Sequence, residues 1–139
     1  MEVQRTFAII KPDAVKDRQI GQIVSEIERA GLNIRGLRLA RLTPAICKEF
    51  YAEHVHKSFY PILEEFMVEG PVALLCLEGE NAVTRWRDLM GATDPAKAAA
   101  GTLRATFGGS LTRNAVHGSD SPASAARELG FFFGAFDLV

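Results

Sequence analysis

Apolar residues recur along this chain with three different periods, and each period marks a kind of element. Residues 6–10 (Thr-Phe-Ala-Ile-Ile) form an almost unbroken apolar run, the pattern of a strand buried on both faces, closed by Lys11-Pro12-Asp13. Ile20, Ile23, Val24 and Ile27 return at helical spacing, and Gly31 is suited to the left-handed turn that ends a helix. Residues 37–41 alternate as a half-buried strand. Thr43 is an N-cap residue and Pro44 fits the first helical position, so a helix is expected through Phe50 and Tyr51. A second short helix is expected over 59–68, a strand over 72–77 after Gly70-Pro71, and a helix over 81–90. Residues 91–113 are rich in glycine and small side chains and weakly periodic, which predicts a long loop, functional or disordered. A short strand then reaches His117. Ser121-Pro122 opens the last helix, in which Ala123, Ala125 and Ala126 favour helicity and close packing.

With the additional helices set aside, the order is β-α-β-β-α-β, the ferredoxin-like split unit. The expected fold class is therefore α+β, a four-stranded antiparallel sheet with helices packed on one face. Such a fold hosts many functions and decides little alone. The 139 residues contain no repeat or linker-like tract, so one domain over 1–139 is expected, burying roughly 70% of its unfolded surface. Cys47 and Cys76 sit in apolar settings and read as reduced, core-filling thiols.

Net charge is −1, so no general attraction to nucleic acid or to an anionic membrane is expected, and an anionic ligand would need a local cluster of cations. The first five residues lack a basic leader, and no apolar run approaches the roughly 20 residues that span a bilayer. A cytoplasmic protein is the expectation.

No G-x-x-x-x-G-K-S/T loop is present, and no G-x-G-x-x-G follows a strand, so phosphate binding would have to rest on side-chain cations. Lys11 at a strand end, Arg87 on a helix and Arg104 in the long loop are candidates. Each taken alone reads as a solvated charge. His54 and His56 flank Val55 beside Glu53, but residues two apart on a helix point to different sides, so they read as solvated or capping rather than as zinc ligands. Trp86 and Phe131-Phe132-Phe133 read as core.

His117 is the richest position. A short apolar approach delivers its imidazole to Gly118, and Ser119, Asp120 and a helix start follow. A histidine so placed can be a nucleophile, a proton carrier, a metal ligand or a satisfied strand-end residue. Gly118 removes a side chain next to the ring, Ser119 and Asp120 can orient neighbours, and Glu128 on the following helix has a carboxylate able to fix a tautomer.

Asn114 with His117-Gly118-Ser119-Asp120-Ser121 resembles the active-site signature of the nucleoside diphosphate kinases. Arg5-Thr6-Phe7 and Ile10-Lys11-Pro12-Asp13 match the family's first strand. Gly79-Glu80-Asn81-Ala82-Val83, Gly91-Ala92-Thr93 and Gly101-Thr102-Leu103-Arg104 match its middle, so the resemblance spans essentially the whole chain. It implies that His117 accepts a phosphoryl group, with Tyr51 nearby and Ser119 and Glu128 supporting it. It implies that Lys11, Arg87, Thr93 and Arg104 hold phosphates, that Asn114 and Lys11 reach the ribose, and that Phe59 stacks on the base. Mg²⁺ would be held mainly by the nucleotide phosphates, with no protein ligand set for a metal.

The implied activity is ping-pong transfer of the γ-phosphate of ATP to a nucleoside diphosphate, with low base specificity, maintaining NTP and dNTP pools. A non-catalytic nucleotide-binding module or a phosphohistidine relay is the alternative. Implied partners are ATP, other nucleoside di- and triphosphates, and further copies of the chain. A tetramer is expected ahead of a hexamer or dimer, because the chain resembles the bacterial type without a C-terminal extension. Neither nucleic acid nor a membrane is implied. Ser58 in place of a common Pro, Asp94 in place of a common Asn, and Gly108-Gly109 depart from the family pattern. None of them touches a residue with an implied role.

Overall fold

The fold is organised by two strands that cannot face water on either side. In a computed structural model, which describes residues 2–139, β1 (Val3–Ile10) and β3 (Val72–Glu80) lie at the centre of a four-stranded antiparallel sheet of order β2-β3-β1-β4. The outer strands are β2 (Asn33–Ala40) and the short β4 (Val116–Gly118). The chain order is β1, α1 (Pro12–Lys16), α2 (Ile20–Arg29), β2, α3 (Pro44–Phe50), α4 (Tyr60–Met67), β3, α5 (Ala82–Met90), a 3-10 turn (Pro95–Lys97), α6 (Leu103–Phe107), β4 and α7 (Pro122–Phe132). The α+β, ferredoxin-like class expected from sequence is the one observed.

One expectation is corrected. Helices cover both faces of the sheet, not one. On the first face Ala8, Ile10, Leu75 and Leu77 pack with Ile23 and Ile27 of α2 and with Trp86 and Met90 of α5. On the second, Phe7, Ile9, Leu74 and Cys76 pack with Phe50, Met67, Leu129 and Phe133. The helices set aside as additions, α3 and α4 together with α7, make the second layer. The unbroken apolar runs of β1 and β3 require it, because alternate residues of a strand point to opposite faces.

Local chemistry accounts for most boundaries. Thr43 Oγ1 accepts the Ile46 N–H at the start of α3, Ser121 Oγ accepts the Ser124 N–H at the start of α7, and Gly31 adopts φ +85° after α2. Three features differ from expectation. The strand predicted from 37 starts at Asn33, because a register shift between Ile34 and Gly36 interrupts the alternation. α1 has only five residues, too few for a period to show. The loop expected over 91–113 holds the 3-10 turn, capped by the Asp94 side chain on Ala96 N–H, and α6, capped by Thr102. Cys47 and Cys76 are buried and free, as expected. Among the described residues no helix is long and apolar enough to cross a membrane.

Candidate active site

β4 exists to present one side chain. Ile9 pairs with His117 and Ala8 with Gly118, and paired residues share a face, so His117 projects onto the second, aromatic face and position 118 onto the first. There a Cβ at 118 would lie 2.5 Å from Trp86 Cδ1 and Nε1, which admits only glycine. The same indole donates from Nε1 to the His117 carbonyl at 3.2 Å and fixes the strand. The approach to β4 is strained. Ala115 is fully buried at φ +74°, and Val116 N–H donates across it to the Asn114 carbonyl at 2.9 Å. This is the three-residue turn of positive φ that proteins rarely use. A non-glycine residue held in such a region costs about 1–3 kcal/mol.

The imidazole lies edge-on among rings, with centroids 5.5 Å from Phe50, 6.1 Å from Phe7 and 6.5 Å from Tyr51. Its Nε2 is 3.0 Å from Glu128 Oε1, and Ser119 Oγ donates to the same oxygen at 2.9 Å. A neutral imidazole that donates Nε2–H to a carboxylate keeps its lone pair on Nδ1. Burial lowers the His117 pKa below the ordinary histidine value, with the charges of Lys11 and Arg104 acting the same way and Glu128 opposing them. The ring is therefore neutral at pH 7, and its side chain is still 20% exposed. That combination suits a nucleophile.

Cations gather beside it from three elements. Lys11 ends β1 and is buried, its Nζ donating to Asn114 Oδ1 at 2.8 Å. Burial pushes its pKa down to about 8, with Arg104 adding to the effect and Asp13 opposing it. Arg104 of α6 is buried too, donating to the carbonyls of Gly91 and Val116, while its Nε is buried without a partner. Burial, then Arg87, lowers its pKa to about 10, so it stays charged. Asn114 is held from both ends, its Nδ2 donating to the carbonyls of Thr93 and Leu111.

Two adjoining cavities open here. The first, about 280 Å³, is lined by His117, Arg87, Arg104, Thr93, Tyr51, Asp120 and Glu128 among others. The second, about 390 Å³, is lined by Phe59, Leu63, Leu111, Thr112, Lys11 and Asn114. Tyr51, His54, Thr93, Arg104 and His117 line both. One cleft thus has a polar, cationic arm and a more apolar arm, with His117 at the junction. A phosphate ester with a flat apolar end fits that division.

Of the site residues inferred from sequence, all but Ser119 line this cleft; Ser119 lies behind the wall on Glu128. Phe59 is half exposed at the mouth. The Tyr51 hydroxyl is buried without a partner, and burial raises its pKa, so the phenol is neutral. His54 corrects the sequence reading: it is in the cleft wall, its ring 5.8 Å from Phe59 and 6.4 Å from Tyr51, with Nδ1 buried and unpartnered. The three-residue step from Tyr51, which brings two residues to one side of a helical turn, was the available signal. His56 is exposed and lines neither arm. Trp86 is buried on the first face and Phe133 on the second, where Phe131 and Phe132 pack against the same cluster, as expected.

A family model described as nucleoside diphosphate kinase matches residues 4–138. A curated nucleoside diphosphate kinase of Bdellovibrio bacteriovorus is 55% identical over 133 residues, 96% of this chain and 94% of its own length. Among solved structures, an orthorhombic crystal form of the Aquifex aeolicus nucleoside diphosphate kinase superposes with a TM-score of 0.96 at 40% identity, covering 99% of this chain and 100% of that one. A halophilic nucleoside diphosphate kinase from Halobacterium salinarum, in complex with CDP, also reaches 0.96 at 40% identity, covering 99% and 92%.

Proposed function

The chain belongs to the nucleoside diphosphate kinase family and is an enzyme of that kind, and we propose that it works by ping-pong transfer through a phosphohistidine on His117. In the first half-reaction the Nδ1 lone pair forms a bond to the γ-phosphorus of ATP while the bond from that phosphorus to the β–γ bridging oxygen breaks, and ADP leaves. A second nucleoside diphosphate then attacks with a terminal β-phosphate oxygen, the P–N bond breaks, and the neutral ring returns. No net proton moves. Nε2 keeps its hydrogen throughout, and the Glu128 carboxylate offsets the positive charge of the phosphorylated ring.

The observation that carries this reading is the imidazole itself: neutral, tied at Nε2, and open at the junction of a cationic and an apolar cavity. The transferring group spreads charge over its oxygens, so catalysis is mainly positioning and electrostatics. Arg104, Arg87, Lys11 and Thr93 supply that for the phosphates. Lys11 and Asn114 serve the ribose, and Tyr51 and Ser119 hold the histidine and its partner. Phe59 offers the base a π-face, and every base has one to return, so base specificity is low. A relative that binds CDP is in keeping with this.

Among the described residues no three metal-binding side chains converge. Asp120, a carboxylate lining the cationic arm, fits a Mg²⁺ carried on the nucleotide phosphates. Bound there, it would neutralise charge on the phosphate oxygens. We further propose a single domain over 1–139, a cytoplasmic location, upkeep of NTP and dNTP pools, and a homo-oligomer, a tetramer ahead of a hexamer or dimer.

The test is direct. Protein mixed with γ-labelled ATP takes up acid-labile, base-stable label on His117 and releases it as GTP when GDP is added. Protein that never labels would be a nucleotide-binding module, and protein that labels but ignores GDP would be a relay.

A further inference from the structure

The strained turn before β4 is held by a residue outside the transfer machinery described above. Ala115 N–H donates to Asp13 Oδ2 at 3.1 Å, and the Ala115 carbonyl accepts the Lys11 N–H at 2.8 Å. The residue with the unfavourable φ is thus gripped on both sides by the segment that follows β1. Asp13 sits in the first turn of α1. Its other oxygen, Oδ1, is buried without a partner, and burial raises its pKa. A carboxylate so desolvated is costly to keep, and the backbone N–H groups of Ala14 and Ala115 with the Lys11 charge offset part of that cost.

The turn links three groups that must keep fixed distances. Asn114 precedes Ala115 and binds Lys11, and His117 follows two residues later. We propose that Asp13 is a positioning residue for phosphoryl transfer: its carboxylate locks the Asn114–Val116 turn and so sets His117 against Lys11 and Asn114. This rests on His117 as the nucleophile.

Four variants test it at pH 7, with kcat, KM and amide exchange at Ala115 as readouts. Asp13→Ala should lower kcat about tenfold with a smaller rise in KM, since misplacement of a reacting group by an ångström can cost even more, and should speed exchange at Ala115. Asp13→Asn retains a side-chain oxygen acceptor and should keep kcat within about threefold. Ala115→Gly alone should stay close to wild type. Added to Asp13→Ala, it should recover at least about threefold of the lost kcat, because glycine takes a positive φ without being held there. Wild-type kcat in Asp13→Ala, or a loss that Ala115→Gly leaves untouched, overturns the proposal. Should the wild-type protein take no label from ATP, the phosphohistidine reading falls. Unchanged Ala115 exchange in Asp13→Ala would refute the role of Asp13 on its own account.

Discussion

The two faces of the sheet are packed with different chemistry. Under α2 and α5 lie Ile10, Ile23, Ile27, Leu75 and Leu77 with one indole. Under α3, α4 and α7 lie Phe7, Phe50, Tyr51 and Phe133, with the His117 imidazole edge-on among them. Aliphatic side chains fill space. Aromatic ones also present faces and edges of opposite polarity, whose preferred edge-to-face packing holds a planar ring in one attitude. One face therefore carries stability, while the other also carries chemistry, and the difference can be measured by changing one residue at a time.

The largest effect belongs to the aromatic face. His117→Ala removes the nucleophile, and nucleotide exchange should fall by more than about 10³-fold. Its melting temperature should move by a few degrees at most; a coupled assay and a thermal melt on one sample check both. Arg104→Ala comes next. Charge-assisted hydrogen bonds are worth roughly 1.5–3 kcal/mol, so kcat/KM should drop on the order of 10- to 100-fold. Near-wild-type kinetics there would remove Arg104 from the phosphate site.

A smaller effect comes from pH. Lys11, facing Asn114, Arg104 and Asp13, titrates at about 8, so its cation is lost as pH rises through that value and kcat/KM should decline above it. The acid limb should lie below the ordinary histidine range, because the His117 pKa is lowered and the neutral ring is the reactive form. A pH–rate profile in which activity climbs past pH 9 contradicts the first statement. The smallest effect on activity should come from the aliphatic face. Ile23→Ala should cost about 2–5 kcal/mol of stability while leaving kcat/KM within about twofold well below the melting temperature, as expected for a site with no shared partners. A tenfold loss of kcat/KM there would break the division between the faces.

Much of this was legible in the sequence, for identifiable reasons. β1 and β3 announce themselves because both of their faces are buried, and α3 and α7 because Thr43-Pro44 and Ser121-Pro122 spell out their caps. The second helical layer was hidden by discounting α3 and α4, and α1 and α6 by their five-residue lengths. The site was legible as a motif around His117 and through its family resemblance. It was not legible as a place: Lys11, Arg87 and Arg104 come from β1's end, α5 and α6, and only the fold unites them. Position 115 carries no warning at all, since alanine gives no hint of a positive φ.

The contact between Trp86 and Gly118 lies on the first face and serves the second, because His117 is the neighbouring residue of the same strand. An indole edge occupies the space a methyl at 118 would need, and it also steadies the backbone that carries the nucleophile. Sequence drift at these two positions is therefore yoked: a lineage can gain a side chain at 118 only after trimming the indole, and trimming it slackens the strand holding His117.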